Sequence, residues 1–332
     1  MKKYHVYAIG NALVDMEFTV DDDFLNEHSI DKGVMTLVDE ELQHRLYNAL
    51  KDRGGKQASG GSAANTIIAV SQFGGKSYYS CKVANDETGD FYVKDLAAAG
   101  VDTNLHKERE EGVSGKCIVM VTPDAERTMH TYLGISETVS HAELDEEAIC
   151  NSEYVYLEGY LVTSDSARAA AIKAREVAEA NQIKTALTFS DPNMVNFFKD
   201  GLNEMVGNGV DLLFCNEQEA LTWAGTDSIE EAAAAIKKVA KTFAITLGAE
   251  GALVFDGETE HKIDAHPTEA IDSNGAGDMF AGAFLYALTH GHDFPTAGSF
   301  ASRSAARIVA HFGPRLPADT HEELLSTHGL KS

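Results

Sequence analysis

The 332-residue chain is 44% hydrophobic and 24% charged, a composition that folds as a soluble globule with room for one large α/β domain or two ordinary ones. Its formal net charge of −25 argues against nucleic acid and anionic membrane surfaces as main partners, because clustered Lys and Arg hold both; a nucleotide stays open, since a local anion hole and Mg2+ suffice for it. No apolar run is long enough to cross a bilayer, no leader pattern follows Met1, and Cys81, Cys117, Cys150 and Cys215 stand at no metal spacing, so the cytoplasm is the expected location.

In chain order, residues 6–10 read as a buried strand ending at Gly10. Asp15 lies just beyond, where a carboxylate can accept hydrogen bonds from two vicinal hydroxyls; a solvated turn Asp is the simpler reading. Residues 15–39 are strand-like and irregular, with an acidic turn at Asp21-Asp22-Asp23. Gly60-Gly61 precedes a helix over 63–73. The glycines let a polyol approach the backbone and Asn65 adds an amide, although a flexible turn with a polar helix start fits as well. A helix follows at 90–99, then strands at 116–122 and 127–133 joined at Pro123-Asp124. Beyond residue 150, strands at 154–157, 185–189, 211–215 and 243–247 alternate with helices at 166–181 and 229–241.

That alternation predicts a parallel sheet with helices on both faces and ligands at the carboxyl ends of its strands. The β-rich stretches 15–39 and 112–135 interrupt it and are expected to pair as a small sheet of their own. Two decoys fall away. Gly75-Lys76-Ser77 imitates the end of a P-loop, but Val70 stands where that motif needs Gly. His290-Gly291-His292-Asp293 lacks a third metal ligand and reads as a polar helix end. No Gly-x-Gly-x-x-Gly follows the first strand, which argues against a dinucleotide site.

The most informative string is Asp272-Ser273-Asn274-Gly275-Ala276-Gly277-Asp278. It ends a strand-like approach at 269–271 and opens a helix in which Met279, Phe280, Ala283, Phe284, Ala287 and Leu288 recur at helical spacing. Glycines at such a turn bring the backbone close to a ligand. The unpaired N–H groups at the positive helix end form an anion site. Asp278 would repel a resting anion there. Its placement makes sense for a base that takes a proton from an attacking hydroxyl while the helix end stabilises phosphoryl charge; a plain helix cap is the alternative.

This string resembles the Asp-Thr-x-Gly-Ala-Gly-Asp signature of the ribokinase-like (PfkB) family of sugar and nucleoside kinases, with Ser273 keeping the hydroxyl of the usual Thr. The resemblance spans nearly the whole chain. Gly60-Gly61-Ser62-Ala63-Ala64-Asn65 is similar to the family's Gly-Gly-x-x-x-Asn motif. Gly10-Asn11-Ala12-Leu13-Val14-Asp15 is similar to the Gly-Asn-x-Leu-x-Asp pattern of adenosine kinase-like members. The resemblance therefore implies acceptor contacts for Asn11, Asp15, Gly60, Gly61 and Asn65. Asn216-Glu217-Gln218-Glu219 matches an Asn-x-x-Glu motif, implying that Asn216 and Glu219 organise Mg2+ and phosphate; a capped, Glu-rich helix explains the same spacing. Thr246, Gly248 and Gly251 resemble a nucleotide-edge loop, and Arg127 resembles a lid arginine that reaches the phosphate. Residues 305–313 resemble the helix and loop that flank an adenine. Asp272 resembles a residue that helps hold a monovalent cation, K+, in some members. Asp191-Pro192-Asn193 looks more like the sugar-kinase branch.

The resemblance implies a single α/β domain over 1–332: a three-layer, doubly wound, mostly parallel sheet with helices on both faces, plus a β-sheet lid from about 15–39 and 112–135. It implies an ATP-dependent, Mg2+-using kinase that phosphorylates a primary hydroxyl of a small-molecule nucleoside (adenosine-like) or sugar. Asp278 would be the base, and the backbone of Gly275, Ala276 and Gly277 the phosphoryl cradle. A sugar kinase of ribokinase or fructokinase type, and a non-catalytic nucleotide- or sugar-binding regulator, are the alternatives. The protein is expected to be a monomer or a homodimer.

Overall fold

The computed structural model describes residues 2–330. In chain order the strands are β1 (Tyr4–Ile9), β2 (Leu13–Thr19), β3 (Met35–Leu37), β4 (Lys56–Gly60), β5 (Ser77–Ser80), β6 (Val101–Thr103) and β7 (Gly115–Val121). They continue as β8 (Arg127–Tyr132), β9 (Ser152–Glu158), β10 (Lys184–Thr188), β11 (Val210–Asn216), β12 (Ala240–Thr246), β13 (Ala252–Phe255) and β14 (Glu260–Ile263). Nine form the main sheet in the order β14-β13-β12-β11-β10-β9-β1-β5-β6. It is parallel from β6 to β12, and β13 then pairs antiparallel with both β12 and β14.

The sheet is buried on both faces, so its strands alternate between two cores. On β1, Val6 and Ala8 join the core that holds the helices Ser62–Gln72 and Ala276–Thr289. Tyr7 and Ile9 join the one that holds the helix Asp165–Ala180. The doubly wound expectation holds. From β1 the chain crosses to β5 on one side and returns to β9 on the other. The strand order thus reverses between β1 and β9, and the crevice beyond their carboxyl ends is where such sheets bind ligands.

The two β-rich insertions do pair. The second sheet has the order β3-β8-β7-β2-β4; β2 runs parallel to β7 from Leu13 opposite Gly115 to Thr19 opposite Val121, and β3 runs parallel to β8. Its outer strand β4, antiparallel to β2, comes from residues read only as the approach to Gly60-Gly61.

Three local expectations are corrected. Residues 269–271 form no strand; the Ile271 and Asp272 N–H groups instead both donate to the Val309 carbonyl, at 2.8 and 3.1 Å, which ties this segment to the end of a helix rather than to a sheet. The helix expected over 229–241 ends at Ile236, since Ala240 is already paired with Val210 in the sheet and that ladder outweighs continued helical pattern. The acidic turn at 21–23 is the start of a helix, Asp22–Glu27, capped by the Asp21 carboxylate. Among the described residues no helix is long and apolar enough to cross a membrane.

Candidate active site

Close helix packing sets the centre of the site. A Cβ on Gly282 would lie 2.6 Å from the Thr66 carbonyl, so the helices Ala276–Thr289 and Ser62–Gln72 touch where only glycine fits. That contact brings the first turn of one onto the first turn of the other. Asp278 Oδ1 accepts from Ser62 Oγ at 2.7 Å, and Oδ2 accepts from Asn65 Nδ2 at 3.2 Å. Burial pushes the Asp278 carboxyl above its ordinary range, and the two hydrogen bonds and Arg127 only partly offset this. A carboxylate whose proton affinity is raised, yet which is held by two donors, has the geometry and basicity to take a proton from a group placed against it.

The other half of the helix start is donor surface. Gly275 takes the left-handed conformation (φ +73°) that turns the chain into the helix. The Ala276 N–H is used in the turn, donating to the Ser273 carbonyl at 3.3 Å. The N–H groups of Gly277 and Asp278 have no acceptor among the described residues. Space beyond Gly277 is open, and Arg127 lies at the same loop, its Nη1 donating to Asn274 Oδ1 at 2.8 Å. Free N–H groups, a helix dipole and a guanidinium together make an anion site.

Beside it a cavity of about 90 Å3 opens between the sheets, bordered by Asn11, Asp15, Asn65, Glu158, Arg127 and Asp278. Asp15 belongs to β2 of the small sheet, not to a turn beyond β1. Its carboxylate is almost fully buried, and it accepts no hydrogen bond from the described residues. Burial first, then the neighbouring Glu17, raises its pKa well above the usual range. A Cβ on Gly60 would lie 2.1 Å from that carboxyl group, so glycine there makes room for Asp15. Gly61 has φ +98°, and a Cβ there would strike the Asn11 carbonyl at 2.1 Å.

Glu158, at the end of β9, is a site residue that sequence reasoning missed. Its Oε1 accepts from both the backbone N–H and Nδ2 of Asn11 at 3.2 Å, and its Oε2 accepts from the Ala63 N–H at 2.8 Å. Burial lifts its pKa to about 7. It fixes Asn11 with the donor end turned inward, leaving Oδ1 available. Asn65 is similar: Nδ2 is spent on Asp278, and Oδ1 is buried with no partner. No local sequence pattern marks Glu158; the pairing of β1 with β9 brings it to Asn11. Ser62 lay inside a quoted motif without being singled out.

The remaining expected residues lie elsewhere along the strand ends. Asn216 and Glu219 form a reciprocal capping box on the helix Glu217–Ala224: Asn216 Oδ1 accepts from the Glu219 N–H, and Glu219 takes the Asn216 N–H and Nδ2. Burial raises Glu219 to about 8. Thr246 is directly opposite Asn216 in the β11–β12 ladder, and Gly248 and Gly251 form the tight turn into β13. None of these borders the cavity. Asp272 is fully buried; its oxygens accept from the Asn274 and Gly313 N–H groups, both at 2.9 Å, which ties residues 310–316 to the anion-site loop. Asp191 caps the helix Pro192–Val206. Among the described residues no group of three or more His, Cys, Asp or Glu side chains could hold a metal alone.

The chain is similar to known proteins over most of its length. The family model described as pfkB family carbohydrate kinase matches residues 28–321. A solved structure of a probable sugar kinase protein from Rhizobium etli CFN 42 is 32% identical, with a TM-score of 0.94 and 100% of both chains covered. The adenosine kinase structure from Sinorhizobium meliloti is 33% identical, with a TM-score of 0.91, covering 97% of this chain and 99% of that one. Adenosine kinase 1 of Arabidopsis thaliana is 28% identical, covering 89% of this chain and 92% of that protein. With its sheet order, its anion-site loop and a match over most of its length, the chain belongs to the pfkB family of carbohydrate kinases, in the adenosine kinase-like branch, and is a phosphotransferase acting on an alcohol group.

Proposed function

We propose that the chain transfers the γ-phosphoryl group of ATP to a primary hydroxyl of a ribofuranose-bearing acceptor, a nucleoside of the adenosine type. The observation that carries this is the polarity of the cavity. Asp15, Asn11 and Asn65 offer it carboxylate and amide oxygens whose donor partners are missing or turned away. Such a surface is satisfied by a ligand that brings O–H donors, and it discriminates against analogues that lack them. The opposite wall is apolar: Leu13, Met35, Leu37, Met129 and Leu133 come from the small sheet and its edge. A flat heterocycle would cover these side chains; a free sugar would leave them wet.

In this reading the acceptor's ring hydroxyls bind Asp15, with Asn11, Asn65 and the Gly60-Gly61 backbone around them. Its primary hydroxyl faces Asp278, which takes the proton as the oxygen attacks. The Gly277 and Asp278 N–H groups and Arg127 stabilise the charge on the transferring group; each such donor is worth roughly 3 kcal/mol in a water-excluded site. The donor's γ-phosphate lies at the helix start, with Thr246, Gly248 and Gly251 along its nucleotide side. Mg2+ would neutralise the phosphates, held largely through water and phosphate ligands. The Asn216–Glu219 pair would orient that ion's waters. Asp272 would support a K+ ion indirectly, since both its oxygens are engaged. The small sheet, with segments 15–39 and 112–135, acts as the lid of a single domain.

A free pentose or hexose as acceptor is the second reading, favoured by the size of the cavity, which is below the usual range of roughly 300–1,000 Å3 for ligand pockets. A thermal-shift screen of nucleosides and sugars, with and without Mg-ATP, separates the two, because a ligand stabilises the fold by mass action. Stabilisation and turnover by ribonucleosides supports the proposal. Turnover of fructose or ribose with none of any nucleoside would move the chain to the sugar-kinase reading.

A further inference from the structure

Asn274 has no part in the chemistry described so far, yet its side chain is buried and doubly held. Nδ2 donates to Glu17 Oε1 at 2.7 Å, and Oδ1 accepts from Arg127 Nη1 at 2.8 Å. Glu17 is on β2 and Arg127 on β8, the strands that flank β7 in the small sheet. One side chain of the anion-site loop thus fastens two strands of the other sheet. The partners are far apart in sequence, so the contact depends on how the two sheets sit together. Beside it, Ser273 Oγ donates to the Ala125 carbonyl at 3.4 Å.

Glu17 makes the arrangement informative. It is 1% exposed; Oε1 is bound by Asn274, while Oε2 is buried without a partner. A Cβ on Gly313 would approach Oε2 to 3.0 Å, so the loop after the helix Phe294–Val309 also packs against this carboxyl group. Leaving a carboxyl oxygen unpaired in the interior is costly. An apolar residue on β2 would avoid the cost but could not accept from the Asn274 amide.

We propose that Asn274 is a positioning residue: a latch that joins the small sheet to the phosphoryl-binding loop through Glu17 and Arg127, so that lid position and anion-site geometry are set together. With Nη1 engaged, the rest of the guanidinium fork keeps a fixed direction and its other N–H groups stay available for phosphate. Opening the lid breaks the Glu17 contact and turns Arg127 away, which dismantles the anion site unless the acceptor is enclosed. The kinetic part of this inference rests on the phosphotransfer reading; the structural part does not.

The test replaces Asn274 by Asp. Asn274→Asp keeps an oxygen for Arg127 but removes the amide donor to Glu17 Oε1; exchange is compared at about pH 8 to 9, above the value of about 7 to which burial raises Glu17, so that a shared proton does not replace the lost bond. Hydrogen exchange in the ligand-free protein should then speed up over residues 13–19 by at least about tenfold, as expected for loss of a hydrogen bond to a charged group, with β9 to β11 unchanged. Adding Glu17→Gln supplies an amide donor, and the double variant should regain slow exchange in the lid. It should also regain most of the acceptor KM lost in Asn274→Asp, while kcat stays at the single variant's value because the extra charge beside the phosphate remains. If Asn274→Asp does not fold, Asn274→Ser provides the same exchange comparison. Unchanged lid exchange in the single variant, or no recovery in the double, overturns the latch. Absence of any acceptor turnover with the exchange pattern intact overturns the kinase reading and leaves the latch standing.

Discussion

Replacing Asp278 by Asn tests the centre of the proposed mechanism with little structural disturbance. The amide keeps the size of the carboxyl group. Its oxygen can accept from Asn65 Nδ2 and its NH2 can donate to Ser62 Oγ, because a hydroxyl accepts as readily as it donates; both contacts of the native carboxylate survive. Burial disfavours the charged form of Asp278, so the neutral amide should unfold at the same temperature as the native protein or higher at neutral pH. What is lost is the proton acceptor. General-base assistance is typically worth about 10² to 10⁴-fold, so kcat should drop by at least about 100-fold, or roughly 2.7 kcal/mol of barrier. Acceptor binding, followed by thermal shift, should be unaltered. The assay is ADP release with saturating Mg-ATP and acceptor. A variant that keeps more than about a tenth of the native kcat would refute the assignment of Asp278 as base.

Asp15→Ala should abolish discrimination between a ribonucleoside and its 2′,3′-dideoxy analogue, which the native protein should turn over very unequally; equal native turnover of the two would end the hydroxyl-grip argument. Gly60→Ala should raise the acceptor KM at least about tenfold with little change in the nucleotide KM, because the new methyl displaces the Asp15 carboxyl group; a parallel rise in both constants would mean a general distortion. If the small sheet closes over the acceptor, hydrogen exchange over 15–39 and 112–135 should slow when acceptor and a non-hydrolysable ATP analogue are bound, and no change would remove the lid role. Glu219 titrates near 8 in the folded protein against 4.5 in the unfolded chain, so the native state holds the proton longer and stability is lost as pH rises from about 4.5 to 8. The stability gap in favour of Glu219→Gln should therefore widen over that window, by at most about 1.4 kcal/mol per pH unit; a gap independent of pH would contradict a buried, proton-retaining Glu219.

The anion-site loop could be read from sequence because its residues have few other uses: glycines at a helix start next to an acid, ahead of a strongly apolar helix. The parallel sheet was equally legible, since strands buried on both faces are continuous apolar runs and short helices separate them. Glu158 was not, because one Glu at the end of such a run carries no pattern, and only the β1–β9 register brings it to Asn11. The strand-like look of 269–271 misled for the opposite reason: local pattern suggests a strand, but the Ile271 and Asp272 N–H groups are taken by the Val309 carbonyl at the end of a helix. Asp15 does border the cavity, but from β2 rather than from a turn, because nothing local shows that β2 leaves the main sheet and joins β7 across about a hundred residues of chain. The Glu17–Asn274–Arg127 contact is the extreme case, a product of how two sheets meet.

The buried carboxyl groups in and behind the site, of which Asp15, Glu158 and Asp278 border the cavity, tie these pieces together. Asp15, Glu17, Glu158, Glu219 and Asp278 all have raised pKa values, with burial the leading cause in each. Arg127 is the cationic side chain bordering the cavity. The acceptor side is thus a surface of oxygens that favours a neutral, hydroxyl-rich molecule, and the donor groups are confined to the helix start and Arg127. An uncharged acceptor relieves the unpaired oxygens when it binds. Once phosphorylated it carries negative charge next to Asp278 and near Asp15, where desolvated carboxylates oppose it. In the proposed reading, the side chains that would select a neutral acceptor therefore also oppose the charge that the product gains, which favours its release.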